Sequence, residues 1–99
     1  MAELIIWAPL AKEDLENILK YLNENWDAQM VIQFLDKIDH ITHQITNNPY
    51  QYPLINKDLR IRKCVVTKHN ILFYRSHNKT IQILRLFDIR QNPDNLKFE

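Results

Sequence analysis

Hydrophobic residues along this chain switch from a short run to helical spacing and back to dense, strand-like blocks. Glu3 to Trp7 is an apolar stretch that stops at Pro9. That suits a strand followed by a helix with proline in its first turn, where the missing N–H has no bond to make. Ala11, Leu15, Ile18 and Leu22 then recur on one helical face, while Lys12, Glu13, Glu16, Asn17 and Lys20 point elsewhere, predicting a helix to about Asn23. Glu13, Asp14 and Glu16 favour the positive end of its dipole. Asp27 is a candidate cap for a second helix, in which Val31, Phe34, Leu35, Ile38, Ile41 and Ile45 repeat until Asn47-Asn48-Pro49 stops it. Two amphipathic helices with so short a link make an αα-hairpin.

Tyr50 to Asp58, with its prolines and tyrosines, reads as an ordered loop. Arg60 to Val66, Asn70 to Arg75 and Thr80 to Asp88 are rich in β-branched and aromatic residues and predict three strands. Thr67-Lys68-His69 and the turn signal Ser76-His77-Asn78-Lys79 separate them, and connections this short force an antiparallel meander. Ile71-Leu72-Phe73-Tyr74 is apolar on both faces and belongs in the middle of the sheet. Alternation in the first strand sets Arg60 and Arg62 side by side on one face, and in the last strand places Arg85 and Phe87 with Ile81 and Ile83. The fold class is therefore α+β, in the order β-α-α-β-β-β, with the helical hairpin on one face of a small antiparallel sheet. Leu15, Ile18, Leu22, Phe34, Ile38, Ile41, Ile71, Phe73 and Leu84 are the expected core. One hairpin covers one face, so the other face or its rim is where the cations should lie.

Charge sharpens this picture. Residues 57–90 hold nine Lys or Arg against two Asp, whereas residues 1–56 hold three against eight acidic residues, so one segment carries +7 in a chain of net +1. Strands hold such charges in fixed rows, which points to an acidic or polyanionic partner. The small net charge argues against a general nucleic-acid binder, and no aromatic residues interleave with the basic ones as a stacking platform would require. Ninety-nine residues make a single domain, 1–99. With no run long enough to span a membrane and no signal-peptide pattern, a cytoplasmic location is expected. Cys64 is alone in an apolar strand and reads as a buried spectator.

The residues Trp7-Ala8-Pro9-Leu10-Ala11 with Asp14-Leu15, Ile18 and Tyr21-Leu22 open a recognisable pattern. It continues through Asn48-Pro49 and Tyr52-Pro53, Ile61-Arg62-Lys63, and Lys68-His69-Asn70-Ile71-Leu72-Phe73-Tyr74-Arg75, closing with Ile83-Leu84-Arg85-Leu86-Phe87-Asp88 and Arg90-Gln91-Asn92-Pro93. Nearly end to end, the chain resembles the RelE/ParE superfamily of toxins from bacterial type II toxin–antitoxin modules, nearer its ParE-like branch. The resemblance implies a compact toxin without a cofactor, neutralised by a cognate antitoxin, and it allows a heterotetramer with that antitoxin. RelE-like members cleave mRNA on the ribosome with basic residues of the sheet, an Arg on the central strand and a Tyr or His near the C-terminus. ParE-like members poison DNA gyrase and carry no recognised nuclease site. Here Asn70 stands at the central-strand Arg position, and no Tyr or His follows Arg90.

Cleavage through a 2′-hydroxyl needs a proton acceptor, a proton donor and cations for the developing charge. Arg60, Arg62, Lys63, Lys68, Arg85 and Arg90 are the candidate target-binding cations, and His69 and Arg90 the candidate catalytic residues. His69 reads more simply as a loop residue capping a turn, and His77 as a solvated turn residue. His40 and His43 are one turn apart on a helix, but nothing nearby completes a metal ligand set. Three functions stay open: a gyrase-binding toxin, which the missing Tyr or His and Asn70 favour; a ribosome-dependent mRNA interferase; and an inactive toxin-fold interaction protein.

Overall fold

The computed structural model describes residues 4–98. Its elements are β1 (Leu4–Trp7), α1 (Pro9–Asn25), α2 (Ala28–Asn47), β2 (Leu54–Asn56), β3 (Ile61–Val65), β4 (Asn70–His77), β5 (Thr80–Asp88) and a 3-10 turn, Pro93–Asn95. Glu3, expected at the start of the first strand, lies outside the described residues. Pro9 occupies the first turn of α1, and Asp27 caps α2 by accepting a 3.0 Å hydrogen bond from the Met30 N–H. Only Trp26 and Asp27 separate the helices. No helix of the described residues is long and apolar enough to cross a membrane.

Five strands form one sheet in the order β1-β5-β4-β3-β2, with β4 at the centre. The antiparallel meander of β3, β4 and β5 is as expected, but the sheet is mixed because β1 returns to pair in parallel with β5. The loop after the hairpin also contributes β2, which pairs with β3 through Leu54 and Asn56 across an irregular register. At the β4–β5 hairpin the turn shrinks to Asn78 and Lys79, both at positive φ (49° and 61°), since this chain has no glycine to place there.

The core has two parts. Ala11, Phe34, Ile38, Ile41 and Ile45 of the helices pack on Cys64, Leu72, Tyr74, Ile81, Ile83 and Leu86, with Leu15, Ile18 and Leu22 partly buried beside them. Ile61, Phe73, Leu84 and Phe87 form a second cluster, to which Ile71, Leu96 and Phe98 add. Phe73 and Leu84, expected in the core, are buried there, on the face away from the helices. That face is not left open to cations throughout, because the chain after β5 folds back over it and Phe98 meets Phe73 edge to face at 5.4 Å. Cys64 is buried, which pushes its thiol pKa up and leaves it inert as a nucleophile.

A β-bulge explains the placement of Arg85. Tyr74 pairs with Ile83 but Phe73 pairs with Arg85, so Leu84 is an extra residue and the side-chain alternation reverses there. Arg85 and Phe87 consequently sit opposite Ile81 and Ile83, not with them. The bulge lies just past the last β1–β5 pair, Trp7 with Ile83, where the edge of β5 becomes free. Asp14 of α1 fills that gap. Its carboxylate accepts from Arg85 Nε (2.7 Å), Arg85 Nη2 (3.0 Å) and the Leu86 N–H (2.9 Å). Arg85 Nη1 donates to the Asn95 and Lys97 carbonyls (3.1 and 2.8 Å), so one guanidinium ties helix, strand and C-terminal segment together.

Candidate functional site

A groove of about 760 Å³ runs between the helical hairpin and the turn that joins β3 to β4. Its apolar wall is Ile18, Tyr21 and Leu22 of α1 with Met30 and Phe34 of α2, closed by Trp26 at the helix junction. Trp26 is 64% exposed. Lys37 stands on one rim, and Lys68, His69 and Arg90 on the other. An apolar wall edged by cations suits an amphipathic acidic segment.

The β3–β4 turn owes its shape to Thr67 and Asn70. The Thr67 hydroxyl donates to the Asn70 side-chain oxygen (2.8 Å) and accepts from the His69 and Asn70 N–H groups (3.1 Å each). Asn70 is 7% exposed, and its side chain is consumed in building this turn. His69 is half-buried and its carbonyl accepts from the Ile89 N–H at 2.8 Å. Its ring has no hydrogen-bond partner among the described residues, and so no group there fixes its tautomer.

Arg90 and Asp88 form a bidentate pair at the groove mouth, with Nε–Oδ1 and Nη2–Oδ2 distances of 3.0 and 2.7 Å. Hydrogen bonding from Arg90 holds the Asp88 carboxyl below the usual carboxylate range, and Asp88 in turn raises the Arg90 pKa. The Arg90 guanidinium lies 6.0 Å from the Tyr21 ring centroid, which directs it across the groove.

The structure thus gathers Lys68, His69 and Arg90 and disperses the other candidates. Arg62 turns to the helix side, donates to the Tyr50 and Tyr52 carbonyls (3.3 and 2.7 Å) and stacks 5.2 Å over the Tyr50 ring. It is not beside Arg60, which precedes β3 in a turn at φ 59°. Lys63 is exposed on the helix-free side, opposite Phe73 in register. Arg85 is buried by the bulge and held by Asp14, leaving it no surface to offer a target. Sequence reasoning missed Trp26 and Lys37 as groove residues and Arg75 as a surface cation; Trp26 alone left a signal, a large aromatic outside both helical stripes. Among the described residues no three His, Cys, Asp or Glu side chains converge as metal ligands would.

The profile of the ParE toxin of type II toxin–antitoxin systems (parDE) matches residues 5–93. This chain belongs to the ParE toxin family. Like its relatives, it is a toxin of a type II toxin–antitoxin system. Comparison with curated proteins finds no match. Among solved structures it is similar to the chromosomal ParDE system of P. aeruginosa, with a TM-score of 0.73 and 17% identity over 89% of this chain and 97% of that one. The YoeB/ParE toxin from Agrobacterium tumefaciens gives 0.64 at 11% identity, covering 86% of this chain and 96% of that one. The RelBE2 toxin–antitoxin complex from Mycobacterium tuberculosis gives 0.61 at 13%, covering 89% and 99%. At these identities the likeness speaks for the fold.

Proposed function

We propose that this toxin acts by binding DNA gyrase and stalling it, without cleaving RNA, and that its groove receives an acidic amphipathic segment of the cognate antitoxin. The observation that carries the first half is the state of the proton-transfer groups. Among the described residues His69 is the one imidazole lining the groove and its ring has no hydrogen-bond partner, and Asn70, which the resemblance sets at the Arg position of RelE-like members, is a buried amide. A general base works when a hydrogen bond orients it toward its proton, and efficient cleavage needs a second group to protonate the leaving oxygen. Arg90, already paired with Asp88, is a poor donor at neutral pH. The ParE family match supports the same reading.

The gathering of Lys68, His69 and Arg90 favours the interferase alternative, and a single substitution separates the two. The purified toxin should block gyrase supercoiling and leave mRNA intact on programmed ribosomes, and His69→Ala should stay toxic. Ribosome-dependent cleavage by the wild type that drops about 10²- to 10⁴-fold in His69→Ala would establish the interferase instead. For the antitoxin, a second small chain should co-purify with the native protein. Trp26→Ala and Lys68→Glu should each weaken that complex, Trp26→Ala by about 2 kcal/mol or more if it is a central anchor.

A further inference from the structure

The helix-free face of the sheet is only half covered. Phe98 and Leu96 lie over Phe73 and its neighbours, whereas no described residue covers the half toward β1. There Ile6, Gln82 and Arg75 are register partners across β1, β5 and β4 and so form one row on that face. Arg75 Nε donates to the Gln82 side-chain oxygen at 2.9 Å, which fixes the guanidinium without neutralising it. Arg60 and Leu59 wall the other side, and the five residues line a shallow basin of about 660 Å³ with His77. Ile6 is 46% and Leu59 48% exposed. Asp58 stands on the rim, but the ion pairs among the described residues are Arg85–Asp14 and Arg90–Asp88, so neither Arg60 nor Arg75 is matched.

We infer that this basin is a second docking surface, separate from the groove, and that it takes an acidic, apolar-bearing surface of the toxin's protein target. The occupant follows from the lining. Two guanidinium groups without a carboxylate among the described residues call for carboxylates, which they bind bidentately, and Ile6 and Leu59 call for apolar side chains. No Phe, Tyr or Trp lines the basin, so it lacks the platform on which a nucleic acid would stack its bases. Groove and basin lie on opposite faces of the sheet. Arg60 adds its own argument. It holds φ 59°, a conformation that costs a side chain with a Cβ and costs glycine nothing. A strained arginine with no ion-pair partner among the described residues is what a contact residue retained at some expense of stability looks like.

The inference rests on the proposed action on a protein target, and its test separates the two. Arg60→Gly removes the strain and the contact together. It should melt about 5 °C above the wild type and bind antitoxin equally well. Its gyrase inhibition should nevertheless need about tenfold more protein, and Arg60→Glu with Arg75→Glu should be weaker still. Either variant inhibiting gyrase and arresting growth like the wild type would overturn the inference. If the wild type leaves gyrase untouched while Arg60→Gly still loses growth arrest, the basin stands and the gyrase assignment falls. Loss that instead tracks weaker binding to a short DNA duplex would make the partner a nucleic acid and refute the protein-docking reading.

Discussion

Replacing Asp14 by Ala should be the most damaging single change at the surface of α1. Its carboxylate and the Arg85 side chain are 12% and 9% exposed, and the pair closes the free edge of β5 past the bulge. The hydrogen bonds that Arg85 donates to Asp14 raise its pKa against the opposing effect of burial, so the guanidinium stays charged. Removing Asp14 leaves that charge with the Asn95 and Lys97 carbonyls and the Phe87 ring, none of them anionic, and strips the Leu86 N–H of its acceptor. Breaking one side of a buried pair typically costs ~3–5 kcal/mol, a large part of the ~5–15 kcal/mol that holds a domain together. With a urea slope of ~1.5 kcal/mol/M, the unfolding midpoint should drop by ~2–3 M. Asp14→Asn should fall between, since an amide oxygen still accepts from Leu86 but carries no charge. Replacing both partners with apolar residues should recover part of the loss. A midpoint for Asp14→Ala within ~0.5 M of the wild type would refute the claim that this pair anchors the bulge.

Tyr74→Phe should cost ~1–3 kcal/mol in the same assay, because the buried hydroxyl donates to the Pro49 carbonyl at 2.6 Å and nothing replaces it; an unchanged midpoint would refute this. The Asp88 pKa is depressed in the fold, chiefly by Arg90, so its contribution is present above its unfolded value of 3.8 and is lost as pH falls through the lower folded value. Melting temperatures from pH 5 down to pH 2 should therefore fall more steeply for the wild type than for Asp88→Asn, and parallel curves would show that the pair adds nothing.

The local elements were legible because their signals are local. Asp27 caps α2, the Asn48-Pro49 break ends it, and the doubly apolar run Ile71–Tyr74 marks the central strand. What escaped depends on partners distant in the chain. Parallel pairing of β1 with β5 joins residues more than seventy positions apart, and nothing in Leu4–Trp7 names its neighbour. The three residues of β2 follow Pro53 and are exposed or half-buried, so they carry no alternation to read. The bulge at Leu84 is the most consequential of these. Its one extra residue moved Arg85 from the expected surface to an internal anchor, and no periodicity argument anticipates an inserted residue. Of the six proposed target-binding cations, Lys68 and Arg90 share the groove and Arg60 lines the basin, because clustering in the sequence sets the number of charges and strand geometry sets their face.

The acidic and basic parts of the chain could have cancelled each other, and the fold prevents it. Glu13, Glu16 and Glu24 of α1 and Asp36 and Asp39 of α2 are exposed. Arg60, Lys63 and Arg75 lie on or beside the helix-free face, while Lys68 and Arg90 stand on the groove rim and Arg62 is held by the Tyr50 and Tyr52 carbonyls, in a body whose principal extents are 38, 32 and 22 Å. Salt screens charge over ~8 Å at physiological ionic strength, so fields on opposite sides of such a body do not offset one another. Asp14–Arg85 is the ion pair that joins the two layers among the described residues. An approaching partner therefore meets a local cationic field at the groove rim or at the basin, not the net +1 of the whole chain. Low overall charge argues against indiscriminate binding to nucleic acid, while separated cations are placed to steer an acidic protein such as the proposed antitoxin segment or target surface.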